Sequence, residues 1–171
     1  MRRGGAPLTA PNGRGTYGRT HICCRPLDVR AVLERLAHDG AAFRIDFFLP
    51  SAPDMMRAAA PWLCRASTVL VNAAGHRVLQ SVTGVAALPE IVVTDGPRAA
   101  QLWMSGEQAA SAVPPTNPPN EATGVGDTLT GTFLALRSKG VPPAQALDRA
   151  TTAAARRVCA PPLPVPAQRR A

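Results

Sequence analysis

Glu121-Ala122-Thr123-Gly124-Val125-Gly126-Asp127-Thr128 is a glycine-rich turn that runs without a break into the amphipathic segment 129–139. Glycines at 124 and 126 let the backbone approach a ligand closely and aim successive N–H groups at it. The following helix adds the positive end of its dipole, which suits the turn to an anion such as a phosphate group. Asp127 stands where that anion would react. A carboxylate there can accept the proton of an attacking hydroxyl while the amides neutralise charge on a transferred phosphoryl group. The same residues also spell an ordinary glycine turn with an Asp near a helix N-terminus, so their neighbours must arbitrate.

Working outward, the pattern alternates strands with helices. A helix fits residues 27–39, with Val29, Val32, Leu33 and Leu36 on one face and Gly40 as its stop. The run 43–49 reads as a buried strand. Ser51-Ala52-Pro53-Asp54 resembles a capping box opening a helix that Pro61 interrupts. A strand over 67–71, a short helix near 74–82 and a strand over 90–94 complete an alternation that favours parallel pairing. Residues 114–120 form a Pro-rich loop. Beyond it Leu129, Phe133 and Leu136 define one helical stripe, and Leu147, Ala150, Ala154 and Val158 another. The expected fold class is α/β.

The glycine turn resembles the C-terminal signature of the ribokinase-like, PfkB-type carbohydrate kinases, which reads close to Asp-Thr-x-Gly-Ala-Gly-Asp-Thr-Phe. Thr123, Gly124, Gly126, Asp127, Thr128 and Gly131 match it. Glu90-Ile91-Val92-Val93-Thr94-Asp95-Gly96 is similar to the family's strand and Thr-x-Gly nucleotide loop, followed by a second short strand over 99–103. Ser67-Thr68-Val69-Leu70-Val71-Asn72 resembles the strand ending in Asn-x-x-Glu, and Phe43-Arg44-Ile45-Asp46 the strand before it. These landmarks keep the family's order over residues 27–158. The resemblance implies a three-layer, Rossmann-like αβα sheet of the ribokinase-like type, truncated on its N-terminal side. It also implies ATP-dependent phosphoryl transfer to a hydroxyl of a sugar or nucleoside, with Mg2+. Asp127 is then the general base, Gly124, Val125 and Gly126 form the anion hole, and Thr94, Gly96 and Asn72 lie along the nucleotide.

The departures are specific. Gly75 stands where Asn-x-x-Glu has its acid, which the family uses in organising magnesium and phosphate. Glu121 and Ala122 replace Asp and Thr beside a monovalent-cation site. Val125 replaces a small residue in the anion hole with a stiffer, β-branched one. The family's N-terminal half, with its Gly-Gly substrate motif and lid sheet, has no expected counterpart. An alternative is therefore a non-catalytic kinase remnant that retains at most nucleotide binding.

A chain of 171 residues with 46% hydrophobic content and few aromatics fits one domain with a core of Ala, Val and Leu. The net charge of +8 divides into +5 over residues 1–30 and +4 over 151–171, leaving the middle at −1. Basicity thus belongs to the ends, and no aromatic interleaving supports base stacking, so a nucleic-acid partner is not expected. Residues 1–26 are expected to be a disordered basic tail, 27–160 the kinase domain and 161–171 a Pro/Arg-rich tail. Cys23, Cys24, Cys64 and Cys159 form no Cys-x-x-Cys pair, and His21, His38 and His76 share no ligand spacing with them, so surface histidines and no metal ligands are expected. No apolar run approaches the ~18 residues of a membrane span. A cytoplasmic protein with reduced thiols is expected. Its partners would be ATP and a small hydroxyl-bearing substrate, and an uncovered apolar sheet face would promote self-association.

Overall fold

The structure, a computed structural model, describes residues 20–23, 30–47, 52–115 and 122–161. Its centre is a single six-stranded sheet in the order β1-β2-β3-β4-β5-β6. Strands β1 (Thr20–Ile22), β2 (Phe43–Phe47), β3 (Ala66–Asn72) and β4 (Glu90–Thr94) are parallel, and β5 (Ala100–Met104) and β6 (Glu107–Ala112) continue antiparallel. Helices α1 (Arg30–His38), α2 (Ala52–Leu63) and α3 (Ala73–Val82) are the crossovers between the parallel strands, and α4 (Val125–Ser138) and α5 (Pro143–Val158) follow the sheet.

The period-2 alternation of the strands builds two cores. Phe43, Ile45, Phe47, Val69, Val71, Ile91 and Val93 pack with Leu33 and Leu36 of α1, Met56 and Leu63 of α2 and Leu79 of α3. Leu70, Val92 and Leu102 face the other way, onto Leu129, Phe133, Leu147 and Ala150 of α4 and α5. Both faces of the inner strands are covered, as near-continuous Val/Ile/Leu runs require. The expected three-layer αβα arrangement is what forms.

Several expectations are corrected. Residues 20–22, placed in a disordered tail, form strand β1, paired in parallel with β2 through Thr20↔Phe43 and Ile22↔Ile45. Ile22 is buried in the first core, which a three-residue strand needs to stay at the sheet edge. Helix α2 does not stop at Pro61 but runs to Leu63. Proline is tolerated there because it sits in the last turn with its ring exposed and costs one ladder bond. The Asp54 carboxylate accepts a hydrogen bond from Arg57 at 2.9 Å, while Ser51, the other half of the expected capping box, lies outside the described residues. So do residues 1–19, the start of the expected first helix, residues 116–121 and the tail from 162.

Strand β6 was not expected, since Glu107-Gln108-Ala109-Ala110-Ser111-Ala112 has neither β-branched residues nor apolar alternation. The turn creates it. Ser105 and Gly106 both have positive φ, 49° and 87°, as a tight hairpin demands. A Cβ at Gly106 would stand 2.9 Å from the Ala86 backbone, so only glycine fits.

Candidate active site

At the C-terminal edge of the parallel strands stand Asp46, the penultimate residue of β2, and Asn72 and Thr94, the last residues of β3 and β4. Ligands in such sheets sit in the crevice beyond these ends. Helix α4 is pinned across the sheet at two points, one near each edge. Near its start, Thr130 Oγ1 donates to Asp46 Oδ2 at 3.3 Å. At its other end the Arg137 guanidinium meets Glu90 Oε2 at 3.0 Å, at the first residue of β4, and Glu90 Oε1 accepts from Thr68 Oγ1 at 2.8 Å. The helix therefore runs antiparallel to the strands and delivers its N-terminus to their C-terminal edge.

That N-terminus is the glycine turn. Gly124 is the N-cap with φ 75°, the left-handed region that glycine enters without strain. The Thr128 amide and hydroxyl both donate to Gly124 O, at 2.9 and 2.7 Å. The Val125 amide donates to Ala122 O at 3.2 Å. Val125, expected to line the anion hole, thus spends its N–H within the turn and contributes shape. Among the described residues the amides of Gly126 and Asp127 make no backbone hydrogen bond, which leaves them as first-turn donors. Asp127 is exposed beside them.

A second acid faces Asp127. Alternation along β2 sends Phe43, Ile45 and Phe47 into the first core and turns Arg44 and Asp46 to the opposite face, where Asp46 meets Thr130 of α4. Asp46 is 3% exposed. Burial, then the nearby Asp127 charge, push its pKa up to about 8 against the bond from Thr130. Nothing local to Asp46 marks it for this place beyond the alternation of β2 itself.

Asn72 and Thr94 are register partners on β3 and β4. Asn72 is the N-cap of α3, its Oδ1 accepting from the Gly75 amide at 2.7 Å. Gly96, in the turn after β4, has φ 59° and is exposed. Next to it Asp95 is held below the usual carboxylate range by two hydrogen bonds from the Arg98 guanidinium, at 2.5 and 2.7 Å. Gly75 is buried, and a Cβ there would meet Met56 Cε at 2.9 Å.

Two histidines depart from the expected surface positions. His76 is buried and its ring lies 5.0 Å from that of Trp103 at a tilt of 49°, with burial lowering its pKa. His21 is half-buried and meets Cys23 and Asp46 at the end of β1. No described helix is long and apolar enough to cross a membrane.

Compared by sequence, the chain matches no protein-family model and none of the curated proteins. Compared by structure, it is similar to the adenosine kinase from Schistosoma mansoni in complex with 2-fluoroadenosine, at TM-score 0.67 and 16% identity, covering 84% of this chain and 51% of that one. It is similar to the nucleoside kinase of Burkholderia thailandensis in complex with inosine, at TM-score 0.65 and 18% identity, covering 83% and 50%. A structure from E. coli described as a ribokinase II, in complex with ATP and Mg2+, matches at TM-score 0.66 and 18% identity, covering 82% and 52%. The chain spans about half the length of these proteins. By fold it is ribokinase-like, and it comprises about half of that fold.

Proposed function

We propose that this chain is the nucleotide-side part of an ATP-dependent kinase that phosphorylates a hydroxyl of a sugar or nucleoside. One observation carries the reading: at the start of α4 a left-handed Gly124 turns two first-turn amides and the exposed Asp127 carboxylate toward the C-terminal edge of a parallel sheet. The Gly126 and Asp127 amides, with Gly124 and Val125 shaping the turn, hold the oxygens of the transferring group. Asp127 accepts the proton of the acceptor hydroxyl as its oxygen bonds to the γ-phosphorus. The bond from that phosphorus to the bridging oxygen breaks, and ADP leaves with the electron pair. Asn72, Thr94 and Gly96 border the nucleotide. The 2-fluoroadenosine, inosine and ATP complexes among the structural relatives support this choice of substrates.

The magnesium implied by the resemblance does not fit at the expected place. Position 75 offers no carboxylate, and the space that its side chain would enter is taken by Met56. That observation favours a second reading, a non-catalytic module that binds nucleotide without turnover.

Calorimetry with ATP and a transfer assay over a panel of sugars and nucleosides decide between them. On the kinase reading, Asp127→Asn lowers transfer by ~10² to 10⁴ while ATP affinity holds, because the amide keeps the shape but cannot take the proton. Variant activity within a few-fold of the parent would overturn the general-base role. ATP binding with no transfer by the parent chain selects the second reading, and a folded chain that binds no ATP rejects both.

A further inference from the structure

At the end of β1, one imidazole nitrogen of His21, the Cys23 sulfur and one carboxylate oxygen of Asp46 all lie within 4.8 Å of one another. The topology makes the cluster. His21 and Cys23 are two residues apart on an extended chain and so share a face, and the parallel register Ile22↔Ile45 brings the next pair, Cys23 and Asp46, side by side. That face is the one opposite Ile22 and Ile45, which are buried in the first core.

Two atoms at this place are buried without a hydrogen-bond partner: His21 Nδ1 and Asp46 Oδ1. Asp46 is 3% exposed, so its orphaned oxygen cannot be satisfied by bulk water. Cys23 Sγ stands 2.9 Å from His21 Nε2. Sulfur and nitrogen ligands on one tetrahedral zinc, at about 2.3 and 2.0–2.1 Å from the metal, would stand roughly 3.5 Å apart. The 2.9 Å separation of Cys23 Sγ and His21 Nε2 therefore widens by about 0.6 Å when the metal enters.

We propose that His21, Cys23 and Asp46 form a three-ligand site for a borderline-soft divalent cation of the Zn2+ type, with its fourth position open. One sulfur, one nitrogen and one oxygen donor select this class over Mg2+ or Ca2+, which take oxygen ligands. A Cys-His-Asp nucleophilic triad is the competing use of the same residues. It requires Asp46 to orient the histidine through Nδ1, and that bond is absent, because Nδ1 and Oδ1 are both without partners and Oδ2 takes Thr130. The ion would tie the edge strand β1 to β2. None of the three ligands belongs to the glycine turn, but Asp46 also anchors α4 through Thr130, so the test reads metal binding itself and not phosphoryl transfer.

The test uses the full chain, stripped with a chelator and titrated with Co2+ and then Zn2+, without nucleotide. Expected are saturable stoichiometric binding, a thiolate-to-cobalt charge-transfer band that Zn2+ displaces, and a metal-dependent rise in melting temperature. Cys23→Ser abolishes the band, whereas Cys24→Ser and Cys64→Ser keep it. Asp46→Asn keeps the band but weakens Co2+ at least about 10-fold, which provides a readout should Cys23→Ser fold poorly. Binding without a charge-transfer band overturns the proposal. So does a band that survives Cys23→Ser or vanishes with Cys24→Ser.

Discussion

Gly75 shows how one missing Cβ shapes the site. Its amide caps α3 through Asn72, and Met56 fills the volume where the ribokinase-like resemblance has an acid. Restoring that acid alone is therefore expected to fail structurally. Gly75→Glu should destabilise by about 1–3 kcal/mol through overpacking at the α2–α3 contact, and Met56→Ala in the same chain should recover part of the loss. Denaturant unfolding of the two single variants and the double checks this; simple additivity of the two losses would separate the residues.

His76 supplies a pH dependence with a defined sign. In the fold its pKa lies below 6.5 because burial penalises the charged ring. The unfolded chain therefore takes up the proton first, so the contribution of His76 is intact above about pH 6.5 and is lost as pH falls below it. Its Nε2 is buried without a partner, so an aromatic hydrocarbon ring loses no hydrogen bond there. His76→Phe should keep the packing on Trp103 and flatten the acid side of the stability profile. Identical pH slopes for parent and variant, measured by urea unfolding between about pH 5 and 8, would remove His76 from this role.

At the scale of elements, the direction of α4 decides everything about the candidate site. Apolar burial of Leu129, Phe133 and Leu134 fixes which face of the helix meets the sheet, but not which end lies over the C-terminal edge of the strands. The polar pins do that. Glu90 is the more deeply buried partner, its side chain 6% exposed against 27% for Arg137. Removing the arginine leaves a buried carboxylate with only Thr68 beside it. Arg137→Met should cost about 1–3 kcal/mol, and Glu90→Gln added to it should return part of that, since the charge without a counter-ion is then gone. A double variant less stable than Arg137→Met would show that the pair acts by packing alone.

For the whole molecule, β1 is the element that redraws the domain boundary. A chain lacking residues 1–25 loses the parallel pairing of Thr20–Ile22 with residues 43–45 of β2 and the buried Ile22. Its melting temperature by calorimetry should fall by several degrees, as each ~1 kcal/mol lost in a domain of this size moves the midpoint by about 2–4 °C. An unchanged midpoint would return residues 20–22 to the tail.

The layer architecture was legible from local chemistry. Runs such as Val69-Leu70-Val71 and Ile91-Val92-Val93 are strands because only a doubly covered sheet buries them, and Gly124 before an amphipathic segment marks a helix start. The strand order follows from helices that join successive parallel strands. Tertiary structure alone decided three things. It made β6 a strand, through a hairpin turn closed against Ala86. It folded Thr20–Ile22 back onto β2, which no local period announces in so short a segment. It also brought Asp46 beneath α4, opposite Asp127 and beside His21 and Cys23, residues separated by up to 106 positions in the chain. Periodicity reports which face a side chain takes, because that is set by its own backbone. Which distant side chain it meets there is set by strand register and helix direction, and these exist only once the layers have packed.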